Sequence, residues 1–325
     1  MSGQFAEVAA TGEFVRQGNH FTDRITSDGS TDYPVEAGRY VLYVCLACPW
    51  AHRSIVVRSL LGLTDAIALR VVDPIRDDKG WRFTLDEGGV DPVTGASYVM
   101  ELYQRSDPSF AGRATVPFLW DTRTERIVTN DYPQMTLDLS TQWTALHAGD
   151  APALYPEHLR EAIDEMAEAN FHAVNNGVYK AGFATAQDAY ERAYDALFAR
   201  LHELDALLAT ERYLVGRQLS EADVRLYTTL VRFDAAYHGH FKCNQRKLTE
   251  FEHLWPYARD LYQTPGFGTT TDFGHIKAHY YGTHEKINPT LIVPKGPDLA
   301  GWDAPHGRDH LAERLHSDDT DAPTS

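Results

Sequence analysis

Hydrophobic positions in the first quarter of the chain alternate between strand-like runs and a helix-like stripe. Residues 39–44 (RYVLYV) are rich in β-branched and aromatic side chains, which favours a buried strand. In residues 50–61 the large apolar side chains recur at helical spacing, at Ile55, Val56, Leu60 and Leu61. Residues 65–72 (DAIALRVV) form a second strand-like run. Together they predict a β–α–β unit with parallel strands and a right-handed crossover.

Two further strand patterns follow after a long polar interval. Residues 115–120 and 126–129 predict strands joined by a polar turn, and a helix should follow them. A β–α–β unit followed by a β-hairpin and a helix is the layout of a thioredoxin-like domain. The interval, residues 73–113, is long for a structureless loop, and connections of that length are often functional.

From residue 156 onward the chain is dominated by Ala, Glu, Leu and Arg, and the strand-like alternation disappears. Residues 190–208 predict a helix with one apolar stripe, which comprises Tyr194, Leu197, Leu201, Leu204, Leu207 and Leu208. Residues 224–236 predict a second apolar helix. We therefore expect a thioredoxin-like domain at residues 39–145 and an all-helical domain at residues 150–285.

The two ends of the chain lack such patterns. Residues 1–38 are rich in Gly, Thr, Ser and Asp, and they predict an arm that covers part of the molecule. Residues 286–325 form a C-terminal extension. Its last stretch, residues 303–325, is charged and almost free of large apolar side chains, so we expect a mobile tail there.

Composition fits two globular domains and excludes several classes of partner. A chain of 325 residues corresponds to about two domains, and 43% hydrophobic residues can fill their cores. The net charge of −16 would repel nucleic acid and anionic membrane surfaces. The longest apolar run, residues 41–51, is well short of the roughly 20 residues of a membrane-spanning helix. The first residues do not resemble a signal peptide, so we expect a cytoplasmic protein.

The sharpest chemical signal is Cys48, which precedes Pro49 where the first strand gives way to the first helix. Unpaired N–H groups and the positive end of the helix dipole would lower the pKa of this thiol and supply a thiolate nucleophile. Pro49 fits the first position of a helix because its missing N–H would have had no partner there. A small buried structural cysteine is the alternative, since free cysteine is often buried.

The other two cysteines are weaker candidates. Cys45 forms a Cys-x-x-Cys spacing with Cys48, and His52 extends it to a possible metal set, but a zinc site needs four ligands and no second pair is found. A dithiol oxidoreductase has its second cysteine three residues after the nucleophile, where this chain has Ala51. We therefore expect no metal, and we interpret Cys45 and Cys243 as packing residues, with a resolving role for Cys45 left open.

A second motif, Thr115-Val116-Pro117, stands before the predicted hairpin. A proline at this position of a thioredoxin-like fold is commonly cis and faces the reactive cysteine. The backbone of the residue before it can then pair with a peptide-like ligand. The alternative is an ordinary proline of an edge strand.

Aromatic side chains with polar tips form a third group, namely Trp81, Tyr179, Tyr280 and Tyr281. Taken singly, each is more typical of a core or a rim than of a catalytic site. Beside an activated thiol, however, a phenolic hydroxyl can hydrogen-bond or protonate the oxygen of a quinone or phenol.

The chain resembles the glutathionyl-hydroquinone reductases, the Xi class of glutathione transferases. Six motifs in this order carry the resemblance: CPWAHR, TVPFLWD, NGVYKAGFA, HFKCN, HIKAHYY and INPTLIVPKGP. The resemblance covers about three quarters of the chain. It implies a glutathione transferase fold, in which a thioredoxin-like domain carries a helical domain, and it implies a homodimer.

The resemblance also implies a reaction. The Cys48 thiolate attacks the sulfur of a thioether-conjugated hydroquinone, releases the hydroquinone and forms a mixed disulfide, which a second thiol resolves. By position, Trp81 would stack on the bound thiol and Val116 would pair with its cysteinyl backbone. Tyr179 and Tyr280 would hold the aromatic ring and help to protonate it.

Further site residues follow from the same comparison of positions. The candidate thiol-binding residues also include Thr115, Pro117, Asp131 and Tyr132. The candidate substrate-binding residues are Pro49, Trp50 and Tyr281. The implied co-substrate is glutathione.

The sequence departs from the family pattern at one point of this site. The family usually has Asn-Glu-Ser after the hairpin, where its acidic side chain, hydroxyl and helix N-terminus bind the γ-glutamyl group. This chain has Asn130-Asp131-Tyr132-Pro133. The carboxylate is shorter, and a bulky phenol replaces the small hydroxyl. A sugar-containing thiol such as mycothiol is therefore a second candidate for the co-substrate.

Two other functions remain open. A general thioltransferase would use the same cysteine on disulfides and would not need the tyrosines. A non-catalytic module would bind a thiol or a protein and use Cys48 as a redox sensor. The ring-facing phenols of the helical domain favour the reductase.

Overall fold

A computed structural model of the protein describes residues 8–311. The chain forms two compact units. The first comprises the described residues up to Pro152 together with Thr270–Lys295, and the second comprises Ala153–Thr269 with the described residues from Gly296 onward. The expected end of the helical domain at residue 285 differs from this division, because Thr270–Lys295 belongs to the first unit.

The first unit is built on a four-stranded sheet in the order β2-β1-β3-β4. Its strands are β1 (Tyr40–Val44), β2 (Ala68–Val71), β3 (Phe118–Asp121) and β4 (Arg126–Thr129). Strand β1 pairs parallel with β2 and antiparallel with β3, and β3 pairs antiparallel with β4. With α1 (Pro49–Leu60) between the parallel strands, this is the predicted thioredoxin-like arrangement. The third strand begins later than predicted, at Phe118, because the preceding residues form the loop at Pro117.

The long interval between β2 and β3 is an ordered part of the first unit. It contains a short 3₁₀ helix at Glu87–Gly89 and the helix α2 (Val99–Ser106). Asp91, whose side chain is fully buried, accepts hydrogen bonds from the Tyr43 hydroxyl (2.6 Å), from Arg70 Nε (3.0 Å) and from the Thr94 hydroxyl (2.6 Å). These bonds attach the interval to strands β1 and β2.

Two more helices complete the first unit. Helix α3 (Tyr132–Thr141) follows β4 directly and packs against α1. A later segment adds the helix α9 (Phe273–Thr283). A buried ion pair also stabilises the sheet, since Arg39 donates two hydrogen bonds of 2.8 and 2.7 Å to Asp121.

The second unit is helical, as predicted. Its α-helices are α4 (Arg160–Asn170), α5 (Gly177–Gly182), α6 (Gln187–Leu207), α7 (Glu221–Leu230) and α8 (Leu254–Gln263). Helix α6 matches the predicted helix at residues 190–208, and most of its apolar stripe is buried. The predicted helix at residues 224–236 divides into α7 and a π-helical turn at Phe233–Tyr237. A second π-helical turn, Phe171–Asn175, joins α4 to α5.

The expected mobile tail at residues 303–325 is wrong for its first part. Arg308 is buried, and its guanidinium donates hydrogen bonds to the carbonyl oxygens of Leu208 (2.9 Å), Glu211 (2.8 Å) and Arg212 (2.9 Å). Leu311 is also buried. The charged composition hid these contacts because arginine can satisfy carbonyl groups at a helix end while its stem packs. Residues 312–325 lie outside the described part of the chain.

Across residues 8–311, the helices are all too short or too polar to span a bilayer.

Candidate active site

Cys48 occupies the N-cap of α1, the position predicted for a reactive thiol. Its backbone is extended, Pro49 is the first helical residue, and the Cys48 carbonyl accepts the first helical hydrogen bond from His52 N (3.0 Å). The thiol is partly buried and donates to the carbonyl oxygen of Val116 at 3.5 Å. The sulfur therefore lies at the positive end of a helix and beside the loop that the sequence marked as thiol-binding.

The loop around Val116 has the predicted geometry. The Val116–Pro117 peptide bond is cis. The buried Tyr103 donates a 2.8 Å hydrogen bond to the Thr115 carbonyl, and Asn130 Nδ2 donates to the Thr115 hydroxyl at 3.2 Å. Buried side chains thus hold the backbone segment that faces Cys48.

The other two cysteines have the packing role that the sequence suggested. All three cysteines are described, and none forms a disulfide. Cys45 is fully buried at the end of β1, and burial together with the nearby Cys48 raises the pKa of its thiol to about 12. Cys243 is fully buried in the second unit, and burial raises its pKa well above the ordinary thiol value. At neutral pH both are protonated and shielded, which leaves Cys48 as the candidate nucleophile.

Trp81 and Tyr280 meet in the first unit through a histidine that sequence reasoning missed. The Trp81 ring stacks on His279 with centroids 5.1 Å apart and an interplanar angle of 24°. His279 Nδ1 lies 2.7 Å from the Pro74 carbonyl oxygen, and the Arg76 guanidinium lies 5.1 Å from the Trp81 centroid. The Tyr280 ring meets His279 edge-on at 5.5 Å. Trp81 is only 6% exposed, so its stacking on a thiol remains a prediction.

Tyr132, which departs from the family pattern, lies in an aromatic and cationic cluster around Trp50. The Tyr132 ring lies 4.9 Å from the ring of Trp50, at an interplanar angle of 39°. The guanidinium of Arg53 lies 4.8 Å from the Trp50 centroid, and that of Arg16 lies 4.5 Å from it. A serine at position 132 would leave this volume open, so the phenol fills space at the start of α3.

The start of α3 also offers few N–H donors to the carboxylate of a bound ligand. The Tyr132 N–H donates to the carbonyl oxygen of Asn130 at 3.0 Å, and Pro133 has no N–H. Asp131 occupies the N-cap without capping its own helix, and its carboxylate accepts a 3.0 Å hydrogen bond from Asn19 Nδ2. A negative charge therefore already stands where a helix N-terminus usually binds an anion.

Tyr179 lies on α5 in the second unit and is 9% exposed. Its ring packs against Tyr237 at 6.0 Å, Phe241 at 5.5 Å and Phe183 at 6.1 Å. Gly182 makes room for this cluster, because a Cβ atom there would lie 2.2 Å from the Phe241 ring. The fold thus holds Tyr179 in a rigid aromatic setting, and its catalytic role remains a prediction.

The remaining candidates from the sequence are Tyr281 and His52. Tyr281 is half-buried on α9, and its carbonyl oxygen accepts a 2.8 Å hydrogen bond from Asn288 Nδ2. His52, the possible metal ligand, is buried with Nε2 3.0 Å from the Thr270 hydroxyl. Within residues 8–311 no group of three or more His, Cys, Asp or Glu side chains is placed to hold a metal ion.

Sequence reasoning missed the polar residues that fix the site, namely Asn19, Tyr103, Asn130 and His279. The position of Asn130, directly after a predicted strand and before Asp131, is the sequence signal that would have identified it. Asn19 gave no signal, because its partner lies 112 residues away.

Comparison with known proteins supports the family that the sequence resembles. The family model for the glutathione S-transferase C-terminal domain matches residues 187–263. Glutathionyl-hydroquinone reductase YqjG of Escherichia coli is 43% identical over 308 residues, which cover 92% of this chain and 93% of that protein. Its glutathione-bound structure has a TM-score of 0.83 and covers 89% of this chain and 96% of that chain.

Two further solved structures are similar. A glutathione transferase from Gordonia bronchialis is 56% identical, with a TM-score of 0.88 over 90% of this chain and 91% of its own. An Xi-class glutathione transferase from Natrialba magadii is 45% identical, with a TM-score of 0.87 over 93% of this chain and 96% of its own.

Proposed function

Because the chain belongs to the glutathionyl-hydroquinone reductases, the Xi class of glutathione transferases, we propose that it reduces thioether conjugates of hydroquinones at Cys48. The observation that carries this proposal is the thiol of Cys48 at the N-terminus of α1, 3.5 Å from the carbonyl of Val116. Cys45 and Cys243 are too buried to replace it.

The chemistry proceeds in two steps. The Cys48 thiolate attacks the thioether sulfur, so that a sulfur–sulfur bond forms while the bond between sulfur and the ring carbon breaks. The ring carbon keeps the electron pair and takes up a proton, which releases the hydroquinone. A second thiol then attacks the mixed disulfide, restores Cys48 and leaves as a small-molecule disulfide.

The family resemblance supports the roles proposed for the other residues. Tyr179 and Tyr280 hold the aromatic ring and assist its protonation, as the family resemblance implies. Val116 offers its backbone to the cysteinyl part of the thiol, beside the Cys48 sulfur. Trp81 contributes a flat ring, and Tyr281, Pro49 and Trp50 line the place of the aromatic substrate.

The thiol is either glutathione or a sugar-containing thiol such as mycothiol. Glutathione is supported by the bound structure of the E. coli relative. Mycothiol is supported by the start of α3, where Tyr132 fills the space beside Trp50 and where few N–H groups face a carboxylate. A thiol whose far end carries hydroxyl groups suits that surface better than the α-carboxylate of a glutamyl group.

The compartment and the assembly are also part of the proposal. Three free cysteines fit a reducing compartment, so we place the protein in the cytoplasm. The family resemblance implies a homodimer, for which native mass spectrometry is the direct test.

Intact-protein mass spectrometry tests the reaction. Wild type and Cys48→Ala are incubated separately with the menadione conjugates of glutathione and of mycothiol, while hydroquinone release is followed. We expect an adduct of the mass of one thiol on wild type and none on Cys48→Ala, together with release of the ring. Thiol adducts without ring release would favour the thioltransferase, and no adduct from either conjugate would favour the binding module.

A further inference from the structure

The N-terminal arm lies along the two segments to which the thiol site is assigned. Gln17 Nε2 donates to the carbonyl of Arg113 at 3.1 Å, and its Oε1 accepts from the N–H of Arg113 at 3.0 Å. Thr22 then pairs antiparallel with Thr129, at the end of β4. The arm therefore runs from the loop before Val116 to the start of α3.

Asn130 fixes the arm to both segments at once. This side chain is 2% exposed, and its Oδ1 accepts hydrogen bonds from the N–H groups of His20 (3.0 Å) and Phe21 (2.8 Å). The backbone N–H of Asn130 donates to the carbonyl of Phe21 at 2.9 Å, and its side-chain Nδ2 donates to the hydroxyl of Thr115 at 3.2 Å. Buried bonds of this kind hold backbone in place, because breaking one leaves an unsatisfied polar group. The arm is thus a built part of the first unit.

The residue just before this anchored stretch reaches the candidate thiol site directly. Asn19 Nδ2 donates to Asp131 Oδ1 at 3.0 Å. Asn19 is exposed and Asp131 is half-buried, so both stand where a ligand can meet them. A carboxylate accepts up to about four hydrogen bonds, so the bond to Asn19 uses only part of the acceptor capacity of Asp131.

We propose that Asn19 is a positioning residue of the thiol co-substrate site and acts through Asp131. The inference rests on the proposed function. Asn19 holds the Asp131 carboxylate in one orientation, and the remaining acceptor sites receive N–H or O–H donors from the far end of the thiol. The ammonium group of glutathione and the sugar hydroxyls of mycothiol are both donors of this kind.

The side chains of Asn19 and Asp131 fit these two roles, in which one orients and the other accepts. The amide of Asn19 is neutral, so it orients the carboxylate without cancelling its charge, as an arginine or lysine would. Asp131 also stands at the N-cap of α3, next to the stretch of the arm that Asn130 anchors. A carboxylate held in one orientation is suited to a donor of the ligand. Losing that orientation should therefore weaken thiol binding and leave the chemical step unchanged.

A double-mutant cycle tests the inference. Wild type, Asn19→Ala, Asp131→Asn and the double variant are assayed with glutathione and with mycothiol for KM and kcat. The Kd of each thiol is measured by calorimetry in a Cys48→Ser background. For the thiol that the protein uses, we expect each single variant to raise KM and Kd about tenfold with kcat nearly unchanged. The double variant should be no weaker than Asp131→Asn alone.

Two further variants separate positioning from general structure. Asn19→Asp keeps the size of the side chain but places a second carboxylate beside Asp131, so it should weaken thiol binding at least as much as Asn19→Ala. Asp23→Asn changes an exposed residue of the same arm and should leave KM, Kd and the melting temperature unchanged.

The outcomes of this experiment are distinct. If Asn19→Ala leaves KM and Kd unchanged while Cys48-dependent turnover persists, or if the two substitutions are additive, the inference is overturned and the proposed function stands. If neither thiol binds or turns over in the wild type, both are overturned.

Discussion

The hydroxyl of Tyr43 donates a 2.6 Å hydrogen bond to the buried carboxylate of Asp91. Tyr43 lies on the central strand β1, whose end leads to Cys48, and Asp91 lies in the long interval that carries Trp81. This one contact links the strand that leads to Cys48 with the segment that carries Trp81. The interval is therefore held by a buried polar network in addition to the apolar side chains that α2 packs into the core.

Asp91→Asn should destabilise the first unit by about 2–4 kcal/mol, because an amide cannot accept all the hydrogen bonds that the carboxylate receives. Chemical denaturation measures this loss. Asp78→Asn, an exposed substitution in the same interval, is the matched control and should change stability by less than about 0.5 kcal/mol. Equal stability of the two variants would contradict the anchoring role of Asp91.

Iodoacetamide should label Cys48 alone in the folded protein between pH 7 and pH 9. The pKa of Cys45 is raised to about 12, so its thiolate, and any labelling that depends on it, appears only well above this range. Peptide mapping after brief labelling should show Cys48 modified at least about a hundredfold faster than Cys45 or Cys243. In urea all three should react alike, and comparable labelling of Cys45 in the folded protein would contradict the assignment.

Tyr179→Phe should lower kcat for hydroquinone release by about a hundredfold, the typical contribution of a general acid. Reduction of a simple mixed disulfide by the same variant should be unchanged, because that reaction needs no proton on a ring carbon. Tyr194→Phe on α6 is the matched control and should affect neither reaction. An equal loss of both reactions in Tyr179→Phe would indicate a structural role.

Tyr132→Ser should lower the KM for glutathione by about tenfold, because it removes the ring that packs beside Trp50 at the start of α3. Tyr132→Phe keeps that ring and should leave the KM unchanged. Steady-state kinetics at saturating conjugate measure both values. If Tyr132→Ser binds glutathione no better, the phenol does not limit access to this site.

The stability of the protein should fall as the pH drops from about 6.5 to about 4, in part through His240. Burial, and then the charge of Lys242, lowers the pKa of His240 to about 4 in the folded state, against an ordinary value near 6.5. The unfolded chain therefore binds more protons in this window, and protonation favours unfolding. Above pH 6.5 the effect is absent.

Melting curves across this window check the role of His240. In His240→Gln the difference in melting temperature between pH 7 and pH 4.5 should be smaller than in the wild type. An identical pH dependence of the two proteins would assign the acid sensitivity to other groups.

The sequence by itself determined the elements that depend on neighbours along the chain. The runs that became β1 and β2 are short and rich in β-branched or other apolar side chains, and the run that became α1 has apolar positions at helical spacing. Cys48 before Pro49 marked a helix start, and Pro117 marked the loop beside it. Both signals are local because a proline ring restricts the backbone of its own residue and of the residue before it. The thioredoxin-like frame, and Cys48 as its candidate nucleophile, followed from these local signals.

Only the tertiary structure decided which polar residues complete the site. Asn19 meets Asp131 across 112 residues, and His279 reaches Pro74 across 205. No local pattern encodes such pairs, because any surface asparagine or histidine fits its own segment equally well. The burial of Arg308 against the end of α6 was hidden for the same reason. Sequence periodicity reports which face of an element is buried, whereas the choice of long-range hydrogen-bond partners is made only when the core brings those elements together.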